Sequence, residues 1–264
     1  MNFKNKVIWI TGASSGIGKA LAIELSNQNA KLILSSRNKT DLALVKNQCK
    51  NAINVKIIPL DLENYTDFTT DVNKAIFCFG HIDILVNNGG ISQRSLAENT
   101  LISVDEKILK INYLGTVALT KALLPYFIEN KSGHFVVTSS IVGKIGTPLR
   151  SSYAASKHAL HGFFDSLRAE IYKYNIAVTL ICPGFVNTNV SINALTGNGN
   201  PQQKMDTATQ NGIDATKFAK LMAKAIYNQK EEVYIAGFKE KLGVFLKRFF
   251  PKLLSKMIRK LAVT

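Results

Sequence analysis

The sequence holds only three cysteines, Cys49, Cys78 and Cys182, far apart and with no CxxC pair. That spacing excludes a disulfide framework or a zinc knuckle and implies free thiols in a reducing compartment. No stretch approaches the roughly 18 to 20 uninterrupted apolar residues that a membrane-spanning helix needs. The opening MNFKNKVIWITG runs from lysines straight into a strand-like segment, without the long apolar region of a signal peptide. The expectation is a chain made and kept in the cytosol, with membrane-surface contact left open. Acidic residues are scarce, 18 against 33 Lys+Arg, for a net charge of +15. Such an excess ordinarily raises nucleic acid or an anionic membrane as partner. What is plentiful is core material: 46% of the 264 residues are hydrophobic, enough for one globular domain, and disorder is excluded.

Short β-rich runs alternate with helical patterns from residue 6 to 183: VIWI at 7, KLILSS at 31, NVKIIPL at 54, DILVNN at 83, HFVVTSS at 134 and IAVTLICP at 176. Strands that read as continuous apolar runs are buried on both faces, as in a parallel sheet covered by helices on each side. Helices are expected at about 17–29, 39–50, 64–79, 103–130, 153–174 and 214–229, and EVYIA at 232 should close the sheet. The fold class is therefore α/β, a doubly wound parallel sheet of the Rossmann type, as one domain over residues 1–238. Residues 185–212, rich in Asn, Thr and Gly, follow a strand's carboxyl end and read as a mobile lid.

The first strand runs into TGASSGIG at 11–18 and then a helix. Glycines 12, 16 and 18 allow a tight turn, close backbone approach to a phosphate and close helix–strand packing, and the helix N-terminus offers free N–H groups to a pyrophosphate. The phosphate turn thus comprises Gly12, Ser14, Ser15, Gly16, Ile17 and Gly18. The second strand ends in Ser35, Ser36, Arg37 and Asn38, with no acid for a ribose 2′-hydroxyl; Arg37 is a bidentate donor suited to a 2′-phosphate, which favours NADP(H) over NAD(H). Tyr153 and Lys157 share a helix face at i, i+4. A tyrosine with a free pKa near about 10 is a poor base at neutral pH, and a neighbouring ammonium favours its phenolate, so the pair makes a usable proton donor and acceptor.

Taken in order, TGASSGIG at 11, Asp61-Leu62, NNGG at 87, Asn112 in INYLG, Ser140, Tyr153 with Lys157, and PGFVNT at 183 resemble the single-domain branch of the short-chain dehydrogenase/reductase family over about residues 5–237. Longer stretches, NNGGISQRSL, YAASKHALHGFF and PGFVNTNVSINALTGNG, look like its member 7 and 7B subgroup, whose usual N-terminal membrane anchor is not found here. The resemblance implies Asp61 and Leu62 at the adenine edge, Asn88, Gly89 and Gly90 beside the adenosine ribose, and Pro183, Gly184, Val186 and Thr188 at the nicotinamide end. Position 89 is usually alanine in the family. The resemblance also implies a catalytic tetrad: Tyr153 protonating a carbonyl oxygen, Lys157 lowering its pKa and holding the nicotinamide ribose, Ser140 polarising the carbonyl, and Asn112 anchoring a relay water. Ser140 is chosen over Ser139 because the family's serine lies thirteen residues before the tyrosine. A homodimer or homotetramer is implied, built on the helices at 103–130 and 153–174.

His158 and His161, with Asp165 one turn on, have a spacing that suits zinc but no convincing further ligands, so no metal is expected. Ser92, Gln93, Arg94, Val142 and Lys144 are expected to face the substrate pocket. Residues 239–264 carry Lys239, Lys241, Lys247, Arg248, Lys252, Lys256, Arg259 and Lys260 against the single acid Glu240. Apolar residues at helical spacing, Leu242, Phe245, Leu246 and Phe249, then Leu253, Leu254, Met257, Ile258 and Leu261, make this tail two basic amphipathic helices broken at Pro251. The apolar stripe suits either docking on protein or an anionic lipid surface; nucleic acid is not expected, because the cations are interleaved with large aliphatics. The reading is an NADP(H)-dependent oxidoreductase interconverting a hydrophobic ketone or aldehyde with its alcohol. The rivals are a cofactor-binding regulator without turnover and a peripheral membrane enzyme for a steroid-like or retinoid-like carbonyl.

Overall fold

Alternation within the first strand sets the layering. In β1 (Val7–Thr11), Ile8 and Ile10 point to one face of the sheet and Val7 and Trp9 to the other, and all four are fully buried. The computed structural model describes residues 1–259. Six further strands join β1 in one seven-stranded sheet: β2 (Lys31–Ser35), β3 (Val55–Ile57), β4 (Ile84–Asn87), β5 (Gly133–Thr138), β6 (Ile176–Pro183) and, after the two-residue strands β7 (Val186–Asn187) and β8 (Ile213–Asp214), β9 (Glu232–Ile235). The order is β3-β2-β1-β4-β5-β6-β9 and every pairing is parallel. The chain winds outward from β1 to β3, then crosses back to β4 on the other side of β1. That reversal opens a crevice outside the carboxyl ends of β1 and β4, where such sheets bind ligands.

Helices α1 (Gly16–Asn27) and α2 (Lys39–Gln48) cover one face with α8 (Ala215–Tyr227), burying Leu21, Leu25, Leu42, Phe218, Met222 and Ile226 against Ile8, Ile10, Leu32 and Leu34. Helices α3 (Thr69–Phe79), α5 (Gly115–Glu129) and α6 (Ser151–Ile171) cover the other, where Val72, Leu119, Phe127, Leu160 and Phe164 meet Trp9, Leu85, Phe135 and Leu180. The short helix α7 (Thr207–Gln210) lies in the 185–212 segment.

Two predicted helices differ in detail. The one expected from residue 64 starts at Thr69, because Asp61 and Asp67 take the N–H groups of Glu63 and Thr69 and hold the chain in turns. The one expected at 103–130 is a single rod with a flaw: α4 (Ile102–Leu109) passes into α5 through a wide π turn, Lys110–Leu114, of the kind that re-aims one side chain. That side chain is Asn112, fully buried.

The tail forms α9 (Phe238–Phe249) and α10 (Pro251–Ile258), with Pro251 at the first position of the second helix, where its missing N–H is harmless. Val244, Leu246, Leu254 and Ile258 pack against Ile141, Ile145, Cys182 and Tyr234, so one stripe docks on the body. A second apolar set stays in solvent: Phe238 is 80% exposed and Phe249 62%, with Phe245, Phe250 and Leu253 about half exposed. Lys260 and Leu261 lie outside the described residues. Among those residues no helix is long and apolar enough to cross a membrane.

Candidate active site

The turn after β1 admits glycine alone at its tightest points. Gly12 and Gly16 have φ of +62° and +53°, in the left-handed region, and a Cβ on Gly12 would lie 2.7 Å from the Gly89 Cα. A Cβ on Gly18 would collide with the Gly12 carbonyl. Ser15 begins α1 without a side-chain cap, so the first-turn N–H groups have no side-chain partner from it and suit an anion. Neighbouring strand ends are stapled around this turn. Thr11 Oγ1 accepts from the N–H groups of Asn88 and Gly89, both at 3.0 Å, and Asn88 Nδ2 donates to the carbonyls of Thr11 and Gly12. Thr188 closes the far side, 3.4 Å from where a Gly16 Cβ would sit. A Cβ on Gly89 would come within 2.6 Å of Leu62 Cδ1, so glycine there accompanies a Leu62 packed closely over the β4 end. Arg37 is exposed just beyond β2 and, among the described residues, pairs with no carboxylate. The glycine turn and the uncapped helix N-terminus fit the pyrophosphate of a dinucleotide.

At the carboxyl ends of β5 and β6 the other candidates converge. Ser140 follows β5; its Oγ accepts from Val142 N–H at 3.1 Å and reaches toward the Pro183 carbonyl at 3.5 Å. Tyr153 lies close enough to Ser140 for that hydroxyl to lower its pKa. Lys157, one turn along α6, donates from Nζ to the Thr138 carbonyl at 2.7 Å and lies 5.8 Å from the centre of the Tyr153 ring. Asn112 accepts from Ile91 N–H at 2.8 Å and donates to the Ile91 carbonyl and to Ser156 Oγ. The wide turn in the α4–α5 rod thus grips α6 one residue before Lys157.

Burial pushes the Lys157 ammonium down to about 8. Burial also raises the Tyr153 phenol, against the Ser140 hydroxyl and the positive charges of Arg150 and Arg94, which lower it. Arg150, and the partner of Arg94, which was expected to face the substrate pocket, are what the sequence reading missed. Arg94 donates to Asp206 Oδ2 from Nε at 2.7 Å and Nη2 at 2.5 Å, and Arg150 Nη2 lies 3.6 Å from the same oxygen. All three are nearly buried, Arg150 at 3% and Asp206 at 4% exposure. Burial would raise the Asp206 carboxyl, but the hydrogen bonds from Arg94 and Gln202 and the two positive charges hold it below the ordinary carboxylate range. Asp206 is the single acid of the 185–212 segment, the one signal in the sequence that this segment is tied down. The segment lies docked: Arg94 N–H and Leu195 N–H exchange bonds with the Leu195 and Ser92 carbonyls, and Leu101 N–H bonds Gly197.

Two residues expected in the pocket act elsewhere. Gln93 Oε1 accepts from the N–H groups of Ser152 and Tyr153, capping α6, and Lys144 Nζ pairs with Glu232 at 2.8 Å. His158 bonds the Ala154 carbonyl of its own helix at 2.8 Å.

A crevice at the sheet's switch point, a glycine cradle and a Tyr–Lys helix face together define a dinucleotide-dependent oxidoreductase. Comparison with known proteins agrees. The family model for short chain dehydrogenases matches residues 6–198. Dehydrogenase/reductase SDR family member 7B of Mus musculus is 39% identical over 95% of this chain and 79% of its own, and member 7 of Homo sapiens 42% identical over 93% and 74%. A solved short chain dehydrogenase/reductase from Burkholderia phymatum, in complex with NAD, superposes with a TM-score of 0.84 over 96% of each chain at 22% identity, a likeness of fold. The chain belongs to the short-chain dehydrogenase/reductase family and is an NAD(P)-dependent oxidoreductase.

Asp206→Asn leaves two buried guanidinium groups without their carboxylate and is expected to destabilise the protein by about 3 kcal/mol or more at pH 7. Because the folded-state pKa is depressed, this contribution is present above the unfolded value near 3.8 and fades as pH falls through the folded one. In urea melts the gap between wild type and variant should therefore narrow below about pH 4; a gap independent of pH would contradict the assignment.

Proposed function

We propose that the protein reduces a hydrophobic ketone or aldehyde to its alcohol with NADPH, Tyr153 giving the proton to the carbonyl oxygen. The observation that carries this reading is the convergence of Tyr153, Ser140 and Lys157 beside the crevice. The nicotinamide cofactor, when bound, supplies or takes the hydride. Ser140, its hydroxyl fixed by Val142 N–H, polarises the substrate carbonyl alongside the Tyr153 hydroxyl. Lys157 lies 5.8 Å from the centre of the Tyr153 ring, where its charge would favour the phenolate that remains after proton transfer, and Arg150 and Arg94 act in the same sense. Asn112 has both N–H donors and one Oδ1 lone pair engaged by protein; its remaining lone pair suits the water that re-protonates the site. Arg37, exposed at the end of β2 with no acid beside it in sequence, supports a 2′-phosphate and hence NADP(H). A homo-oligomer is built on the α4–α5 rod and α6.

A second reading, a peripheral membrane enzyme acting on a lipid carbonyl, is favoured by the tail. Its docked stripe is distinct from the exposed set Phe238, Phe245, Phe249, Phe250 and Leu253, which lies among Lys241, Lys247, Arg248, Lys252 and Lys256. Aromatic residues amid cations suit an anionic lipid surface.

NADPH oxidation against aliphatic aldehydes, quinones, aromatic ketones, 3-ketosteroids and retinal should reveal a substrate class, and Tyr153→Phe should cut turnover by about a hundredfold or more. Tight NADPH binding with no turnover on any member would instead support the regulator. Arg37→Ala should weaken NADPH binding far more than NADH binding; equal losses would refute the 2′-phosphate role. In liposome flotation the full-length protein should rise with anionic vesicles and a Phe245→Asp/Phe249→Asp variant should not. Full-length protein that stays at the bottom sinks the membrane reading.

A further inference from the structure

Tyr153, Lys157 and His161 are spaced four apart on α6 and so share one face of the helix. The proposed chemistry uses the first two and leaves the third, a nearly buried imidazole, without a task. Its Nε2 lies 2.9 Å from Oγ of Ser139, the residue before Ser140. The Ser139 hydroxyl donates to the Lys157 carbonyl at 3.2 Å, which leaves its oxygen to accept from the His161 ring. The other ring nitrogen, Nδ1, lies 3.4 Å from Oε2 of Glu232, on the edge strand β9. Glu232 also takes Lys144 Nζ at 2.8 Å and the Tyr234 hydroxyl. Although burial opposes ionisation, the close approach of His161 and the contacts from Lys144 and Tyr234 hold the Glu232 carboxyl down at about 2.

The chain order matters. Ser139 precedes Ser140; the tight turn Ile141–Gly143, capped by Ser140 Oγ, follows it; Lys144 comes next. The network therefore grips the polypeptide on both sides of Ser140 and, through the Lys157 carbonyl, the turn of α6 that presents Lys157. Its hydroxyl–imidazole–carboxylate order resembles a nucleophilic relay. Ser139 is only 2% exposed, however, its proton is spent on a carbonyl, and the Gly143 backbone packs so closely that a Cβ there would strike Oγ. No substrate reaches it. What this buried network does supply is rigidity, through the Ser139–His161 hydrogen bond and the close approach of His161 to Glu232.

We propose that His161 is a positioning residue for the reductase chemistry read above, on which this inference rests: it ties the strand end carrying Ser140 and the helix turn carrying Lys157 to Glu232 at the sheet edge. Misplacement of a reacting group by about 1 Å costs on the order of a hundredfold in rate, so the network acts on kcat. His161→Phe keeps a buried ring and removes both polar contacts, whereas His161→Gln keeps one amide donor for Ser139. On full-length protein, His161→Phe should lower kcat about ten- to a hundredfold with KM and NADPH affinity within about twofold, and should speed amide hydrogen exchange across residues 139–145. His161→Gln should recover most of both effects. Ser139→Ala should reproduce the kcat loss, with little added in the double variant. An unchanged kcat in His161→Phe, or a loss that His161→Gln does not recover, overturns the proposal. If wild type reduces no carbonyl, the reductase reading fails separately, and the exchange data still decide: unchanged exchange at 139–145 in His161→Phe overturns the positioning role, and faster exchange recovered by His161→Gln supports it.

Discussion

The site depends on where α6 begins and how its first two turns are held. Gln93 caps the N–H groups of Ser152 and Tyr153, and Ser152 hydrogen-bonds Asp105 of α4. Asn112, swung inward by the π turn between α4 and α5, holds Ser156 and the Ile91 backbone. Lys157 reaches the last carbonyl of β5. With the helix fixed to β5 and to the loop after β4, its four-residue periodicity places Tyr153, Lys157 and His161 in a row along the strand ends. A shift of one residue in that start would turn each side chain about 100° around the axis, away from Ser140.

The electrostatics follow from the same docking. Burial pushes the Tyr153 phenol further toward its protonated form, and in the proposed reaction a phenolate must be tolerable once the proton has left. Arg150 and Arg94 lie close enough to favour it, and Asp206 balances only part of their charge. Burial and the neighbouring Arg94 push Arg150 down to about 10, the cost of crowding cations in a dry place. Asp206 comes from the 185–212 segment, so the docking of that segment and the charge balance beside Tyr153 rest on the same residue.

Local pattern was enough for the scaffold. The apolar strand runs, the glycine turn and the Tyr–Lys spacing each reflect a constraint within a few residues, and the structure brings Ser140, Tyr153, Lys157 and Asn112 to one end of the sheet. Pairings across the chain were not legible. Arg94 and Asp206 are 112 residues apart, and nothing near Arg94 says that a lone acid in a polar loop will bury itself against it. Gln93 and Lys144 were placed in the pocket by position, but the first answers the uncapped start of α6 and the second a carboxylate on β9. The helix expected from residue 64 begins five residues later because two aspartates spend their side chains on turns. The tail's periodicity revealed two helices but not that Val244, Leu246, Leu254 and Ile258 dock while Phe238, Phe245 and Phe249 remain outside.

The central claim is that this scaffold moves a hydride to a carbonyl carbon with NADPH. The most direct test uses NADPH deuterated at the nicotinamide C4 position and mass spectrometry of the alcohol formed. One deuterium on the carbinol carbon, from one face of the nicotinamide only, is the predicted result. Cofactor oxidation with no deuterium in the product would contradict it.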